Sequence, residues 1–459
     1  MRVLSWKGMS ALCANPSSSR VSEPTNSTYY GKFGQSKGEK MDRSFYSENR
    51  RKAAVHMTDG DAMLFFSGES VQKSADEDFP FFTNRNFLYL TGIQQEQFAL
   101  LLLKKDDLTS ECLFVAKPDL EREIWTGRRF TEEEINEISG VEGVEDIDSL
   151  NGTLDELLSS QTVMTLWLCF DAHALERSFD VEREFAKHIQ NRYPHIVIRN
   201  SYPLLAALRK IKAPAEIDAI RKAMQITEAG IRRMMQAAKP GMLEYELEAE
   251  FNSELAAHGQ RRTAFPSILA GGERIFYLHY ANPMSVLADG ELILSDVGST
   301  YDEYCTDISR VFPANGHFSE RQAQIYRIAF AANRAVMAQA RPGVFFPQLN
   351  RTCREVSFEG LKALGLLDDF ADVRRYVWHG AVHHVGLDTH DVGGYEEPIA
   401  ENMVFTVDAG IYVREWGIGL RIEDNILVTA DGCENLSTAI PTTMEEIESL
   451  MNYNHEKRK

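Results

Sequence analysis

Short apolar runs recur between residues 41 and 205, separated by stretches with helical spacing. AMLFFS at 62–67, FALLLL at 98–103, ECLFVA at 111–116, VMTLWLCF at 163–170 and HIVIR at 195–199 predict strands. Residues 131–139 and 181–192 predict helices, and 50–57 has the character of a basic helical start. Alternation of this kind specifies an α/β domain. A linker-like segment follows at 210–214, where Pro214 suits the first turn of a helix and Glu216 and Asp218 suit its positive end. Ile217, Ile220, Met224, Ile231 and Met234 then mark a long amphipathic helix, which Lys239-Pro240-Gly241 ends. A further helix is predicted at 244–258, strands from 266 to 312, helices at 320–340 and 348–364, and strands again from 377 to 441.

The second half echoes itself. KPGMLEYELEAEF near residue 245 and RPGVFFPQLNRTC near 347 each link two helices through a Pro-Gly turn and then lead to strands. The pattern predicts two related α/β halves facing one another across a cleft.

Composition narrows the class. A chain of 459 residues exceeds one ordinary core, so two or three domains are expected. Its 44% hydrophobic and 25% charged residues fit a soluble globular protein. A net charge of −19 argues against nucleic acid or an anionic membrane as the main partner, because both need basic patches. No apolar run approaches a membrane span of about 20 residues. The six cysteines form no CxxC pair or zinc spacing, which predicts reduced thiols in a reducing compartment such as the cytoplasm. Residues 1–40 are rich in Ser, Gly and Asn without periodicity and are expected to be disordered. Lys37-Gly38-Glu39-Lys40 can be encoded as a purine-rich ribosome-binding sequence before Met41, which points to Met41 as the start and the preceding forty residues as a non-native extension.

The chemistry gathers around residues 294–312, LSDVGSTYDEYCTDISRVF. Two apolar arms flank a Gly298-Ser299-Thr300 turn signal and read as a hairpin or two adjacent strands. Each arm carries one aspartate, Asp296 and Asp307, in an apolar setting where a lone carboxylate is costly. Alone, the pair reads equally as two solvated turn acids. Later segments change that reading. Residues 379–391 hold four of the twelve histidines, His379, His383, His384 and His390. Asp408 interrupts a buried-looking strand, VFTVDAGIY, and GIGLRIEDNILV contributes Arg421, Glu423 and Asp424. Oxygen ligands with histidine and no cysteine fit Mn, Co, Fe or Zn. Grouped carboxylates repel one another unless high positive charge holds them, which two divalent ions would supply.

In this order, DVG…YCTDISR, HGAVHHVGLDTHD, VFTVDAGIY and GIGLRIEDNILVT resemble the pita-bread metallopeptidases. The chain is most similar to the aminopeptidase P (Xaa-Pro aminopeptidase) family. The resemblance extends from about Met41 to Met451 and includes SADEDFPFFTNRNFLYLTG and EIWTGRRF. It implies an N-terminal α/β domain at 41–205 and a pita-bread catalytic domain of two pseudo-symmetric halves at 206–451. It implies two divalent ions, manganese first with zinc, cobalt or iron open. Asp296 would bind one ion, Asp307 and Glu423 would bridge both, and His383 would bind the other. His384 would be a packing residue. His279 and His390 would line the substrate site and stabilise the oxyanion, with Arg421 as partner of the carboxylates. Trp125 is either a core residue of the N-terminal domain or a residue placed in a neighbouring subunit's substrate pocket. The implied reaction is release of the first residue from peptides with proline second, by a metal-bridging hydroxide attacking the Xaa-Pro carbonyl, in a cytoplasmic homodimer or homotetramer.

Two departures from the family pattern matter. Asp408-Ala409-Gly410 stands where the family usually has Glu-Pro-Gly, whose glutamate is a metal ligand and candidate general base; the resemblance implies the same roles for Asp408, although aspartate reaches less far by roughly 1.5 Å, about one C–C bond. This motivates a rival reading, a member that binds peptides without cleaving them. Prolidases, a second rival, carry a longer insert after the residues matching His390, with an arginine that grips the substrate carboxylate. Here VGGYEEPIAEN is short and has none, which favours substrates that continue past proline.

Overall fold

The structure, a computed structural model, describes residues 41–170 and 181–457. The expectations for residues 1–40 lie outside the described residues.

The first part comprises α1 (Arg43–Ala54), β1 (Asp61–Phe66), α2 (Arg85–Thr91), β2 (Phe98–Lys105), β3 (Leu108–Val115), α3 (Leu120–Thr126), α4 (Glu132–Ser139), β4 (Gly143–Asp146), α5 (Leu150–Ser159), β5 (Thr165–Leu168), α6 (Val181–Arg192), β6 (Val197–Asn200) and α7 (Tyr202–Lys210). Its six-stranded sheet has the order β4-β3-β2-β1-β5-β6, with β1 antiparallel to β2 and parallel to β5. The continuous apolar runs of β1 and β2 follow from burial on both faces. Met63, Phe65, Leu100 and Leu102 pack to one side, and Ala62, Leu64, Ala99 and Leu101 to the other. Each fully buried Met, Phe or Leu side chain here contributes about 1.5–3 kcal/mol.

Two local expectations shift. The helix expected at 50–57 instead spans Arg43–Ala54, because Asp42 caps it by accepting from the Ser44 and Phe45 amides. Within the linker-like residues 210–214, Lys210 and Lys212 are buried rather than solvated. Lys212 is 1% exposed, and its amide donates to the Asn402 carbonyl at 2.9 Å. A Lys-rich segment looks hydrophilic in sequence, and buried acids elsewhere in the fold reverse that.

The second part begins with α8 (Pro214–Ala237) and α9 (Glu244–Ala257), then β7 (Ile268–Gly271), β8 (Leu292–Val297), β9 (Thr300–Tyr301), β10 (Tyr304–Cys305) and β11 (Ile308–Pro313). The series repeats with α10 (Glu320–Gln339), α11 (Phe346–Ala363), β12 (Val404–Val413), β13 (Ile418–Val428) and β14 (Cys433–Asn435), and closes with α12 (Met444–Lys457). Ile217, Ile220, Met224, Ile231 and Met234 of α8 are all buried, as the 3.6-residue period requires.

The predicted echo is visible in the backbone. Gly241 donates to Leu287 at 2.8 Å and Leu287 back to Met242 at 2.8 Å; Gly343 donates to Ile399 at 2.9 Å and Ile399 back to Val344 at 2.7 Å. Each half thus pins its Pro-Gly turn in the same way and supplies one antiparallel three-stranded sheet, β11-β8-β7 and β12-β13-β14. The sheets meet where Ser309 and Arg310 of β11 hydrogen-bond β13 at Glu423 and Asp424. Ile217 and Ile220 of α8 share a core with Phe87 and Tyr89 of α2, which joins the first part to the second. No helix among the described residues is long and apolar enough to cross a membrane. Cys112, Cys305, Cys353 and Cys433 are free thiols.

Candidate metal centre

The arms predicted as a hairpin form the pair β8–β11, with Asp296 opposite Ser309. Between them the chain turns at Gly298, where a Cβ would overlap the Thr306 carbonyl. Only glycine permits that approach, and it lets Ser299, Thr306 and Thr227 of α8 form a buried hydroxyl cluster at 2.8–3.1 Å. Asp307 follows directly. Asn425 of β13 clasps its backbone in both directions, accepting from the Asp307 amide at 3.0 Å and donating to its carbonyl at 2.8 Å.

Strand periodicity selects the other acids. Arg421, Glu423 and Asn425 alternate along β13 and so face one way, while Asp424 faces the other and pairs with fully buried Arg310 at 2.6 Å. Asp424, one of the acids the sequence offered, is therefore turned away from the centre. Asn425 was missed, although the same two-residue period from Glu423 could have found it. Glu423 accepts from Ser309 Oγ at 3.0 Å. Arg421 pairs with Asp296 Oδ2 and also approaches Ser309 Oγ at 3.3 Å.

His383 lies beside β12, its carbonyl accepting from the Thr406 amide at 2.8 Å. Its Nδ1 is 3.1 Å from the His384 carbonyl, so Nδ1 carries a proton and Nε2 is the ring nitrogen turned toward the acids. Nε2 stands 3.4 Å from both Asp307 Oδ2 and Glu423 Oε1. Ligand atoms of Asp296, Asp307 and Glu423 all lie within 4.8 Å of one another, and so do those of Asp307, His383 and His390. Asp307 belongs to both sets. The His383 and His390 rings are 4.3 Å apart.

Asp408 faces Glu423 across the β12–β13 ladder but belongs to neither set. Its Oδ2 is 3.2 Å from His379 Nδ1, and His379 Nε2 is 3.0 Å from Tyr412 Oη. His384 is buried against Phe346. His279 is exposed on the loop between β7 and β8. Trp125 is 88% exposed on α3, beside exposed Leu120 and Ile124, so the core alternative for it does not hold.

The electrostatics show what the cluster lacks. Burial, then the charges of Glu423, Asp296 and Asp408, drives the Asp307 carboxyl well above the usual carboxylate range. Burial and the Asp408 charge push Glu423 up to about 7. His383 is raised, because the bond and charge from Glu423 outweigh burial. His390 is lowered by burial and by the positive charges of His383 and His279. Two unit charges 4 Å apart repel by about 4 kcal/mol at an effective dielectric of 20. Such acids stay ionised together only beside concentrated positive charge. Asp296 Oδ1 and Asp408 Oδ1 are also buried with no hydrogen-bond partner among the described residues. Oxygen donors, one or two imidazoles and orphaned buried carboxylate oxygens fit a divalent metal site.

Comparison with known proteins agrees with the class that this donor set and duplicated fold define. Residues 218–430 match the model of metallopeptidase family M24, and residues 46–167 match the aminopeptidase P N-terminal domain. The chain is 33% identical to the Xaa-Pro aminopeptidase of Escherichia coli K12 over 428 residues, 88% of this chain and 97% of that one. Its fold matches a solved structure described as a putative aminopeptidase P from Bacillus anthracis, with TM-score 0.88 and 39% identity over 90% of this chain and 99% of that one. E. coli aminopeptidase P with the inhibitor Pro-Leu matches with TM-score 0.83 and 30% identity over 91% and 100%. The chain belongs to the Xaa-Pro aminopeptidase (aminopeptidase P) family of M24 metallopeptidases.

Proposed function

We propose that this chain is a metallo-aminopeptidase that releases the N-terminal residue from peptides with proline at the second position. The observation that carries the reading is the crowding of Asp296, Asp307 and Glu423 around His383 Nε2, in a chain of this family. Asp296, Asp307, His383 and Glu423 would hold two divalent ions, manganese first among them, with Asp307 and Glu423 reaching both and Asp408 as a further ligand. Bound there, the ions supply Lewis-acid polarisation of the substrate carbonyl and a water activated for attack at neutral pH.

The chain's own groups set up the rest. The Nδ1–H bond to the His384 carbonyl fixes the tautomer and ring direction of His383. Arg421 offsets the charge on Asp296 and holds its carboxylate in line. His390, with a lowered proton affinity, is neutral at pH 7 and donates a hydrogen bond to the developing oxyanion. His279, exposed on its loop, would line the substrate site with His390. The reading includes a cytoplasmic homodimer or homotetramer in which exposed Trp125 reaches a neighbouring subunit's pocket. Sedimentation as a monomer would remove that part.

Hydrolysis of Xaa-Pro-Xaa peptides, after chelation and again with added manganese, tests the proposal. Manganese-dependent release of the first residue is expected. Cleavage of Xaa-Pro dipeptides alone would make the chain a prolidase. One observation favours a binding-only rival: the Asp408 carboxylate lies against His379 rather than within either ligand set. Metal-loaded protein that binds Xaa-Pro-Xaa without cleaving it would establish that rival.

A further inference from the structure

His390 sits between two acids, Asp388 and Asp391, and one cation holds both. Arg209 Nη2, at the end of α7, is 2.8 Å from Asp388 Oδ2 and 2.6 Å from Asp391 Oδ1. The other Asp391 oxygen accepts from Lys212 Nζ at 2.9 Å. The side chains of Arg209, Lys212 and Asp391 are 2%, 0% and 1% exposed. The loop is also tied to itself, since the Asp391 amide donates to the His384 carbonyl at 2.9 Å and Gly386 to Asp388 at 3.0 Å. Asp391 Oδ2 occupies the space a Cβ at Gly386 would fill, so the carboxylate is wedged under the turn. The cations lie outside the ligand-rich motifs, in the junction before α8. That junction is anchored from both sides: Arg209 Nη1 donates to Asn86 of α2 at 2.8 Å and the Lys212 amide to Asn402 at 2.9 Å.

A buried ion pair is weak evidence for stability, because desolvation offsets much of its attraction. Its geometric consequence is firmer. With both flanking residues held, the backbone of residues 388–391 has one arrangement, and that arrangement brings the His390 ring within 4.3 Å of His383. We propose that Arg209 and Lys212 are positioning residues that act through Asp388 and Asp391 to hold His390 at the reacting carbonyl, coupling the α7–α8 junction to the site. The inference rests on the reading of His390 given above.

The test uses the full-length, metal-loaded protein. Lys212→Met keeps the apolar stem and removes the charge. It is expected to lower kcat on an Xaa-Pro-Xaa peptide about 10- to 100-fold, as loss of groups that orient an active-site residue does, with KM within a few-fold and manganese content unchanged. Its crystal structure should show the His390 ring displaced and His383 in place. Wild-type kcat, lost manganese, or a slower variant whose His390 ring has not moved would each overturn the proposal. If Lys212→Met does not fold, Arg209→Lys takes its place. It keeps the charge but loses the guanidinium that spans both acids, and it should give a smaller loss with the same ring displacement. His390→Gln separates the two claims: full activity there defeats the reading of His390, whereas the ring position in Lys212→Met still decides the clamp.

Discussion

At the scale of single residues, Asp408 decides how complete the metal site is. It faces Glu423 across the ladder, yet its carboxylate reaches His379 at 3.2 Å and leaves Oδ1 without a partner. A glutamate there gains one methylene and can extend toward Glu423 and His383. Asp408→Glu is therefore expected to tighten binding of the weaker divalent ion by about tenfold or more, the scale on which one metal-site contact acts. Titration calorimetry with manganese checks it, and equal affinity in both proteins would show that the shorter side chain already ligates. Nothing in the residue types alone settled this. The aspartate was legible in the sequence, but its partner His379 depends on how the segment before His383 folds back along β12.

Among elements, β13 is the strand that assembles the centre. Its two-residue period sends Arg421, Glu423 and Asn425 to the ligand side and Asp424 to a buried pair with Arg310. Asn425 has no part in the chemistry itself, but it fixes both backbone groups of Asp307. Asn425→Ala would leave a buried amide and carbonyl unpaired, a loss of about 1–3 kcal/mol. Thermal unfolding should show that loss, accompanied by weaker manganese binding. An unchanged Tm and affinity would mean that the Asp307 turn is held by the Gly298–Thr306 approach alone. The hairpin arms and long helices were legible because their periodicity is local. The helix α2 and the true extent of α1 depended on the caps Asn84 and Asp42 and were not recognised.

For the whole molecule, the metal-free site is a stability liability that changes with pH. In the unfolded chain Glu423 and Asp307 lose their protons in the ordinary carboxylate range. In the fold Glu423 holds its proton up to about 7, and Asp307 is also raised. The folded state thus binds more protons across that window. The contribution of these groups to stability is present below the ordinary carboxylate pKa and is lost as pH rises through the folded values. Chelated protein is expected to become less stable from weakly acidic to neutral pH through these two groups. Saturating manganese should raise Tm most at neutral pH, because a ligand that binds only the folded state stabilises it by mass action. A manganese-induced Tm shift that does not change with pH would contradict this assignment of the protons.

The sequence by itself determined the period of the long helices and of the apolar strands, the duplicated Pro-Gly turns, and the acids and histidines from which a metal centre can be built. These follow from local spacing and residue chemistry, which the chain carries wherever it folds. Tertiary structure alone decided which of those groups converge. Arg421 and Asp296 meet across 125 residues of chain, and Asn425 reaches Asp307 across 118. It also buried Lys212 of the apparent linker at 210–214, which meets Asp391 across 179 residues. Such pairings arise from the docking of two sheets and a helix junction. A charged side chain's sequence neighbours cannot show whether it will be solvated or buried against an opposite charge.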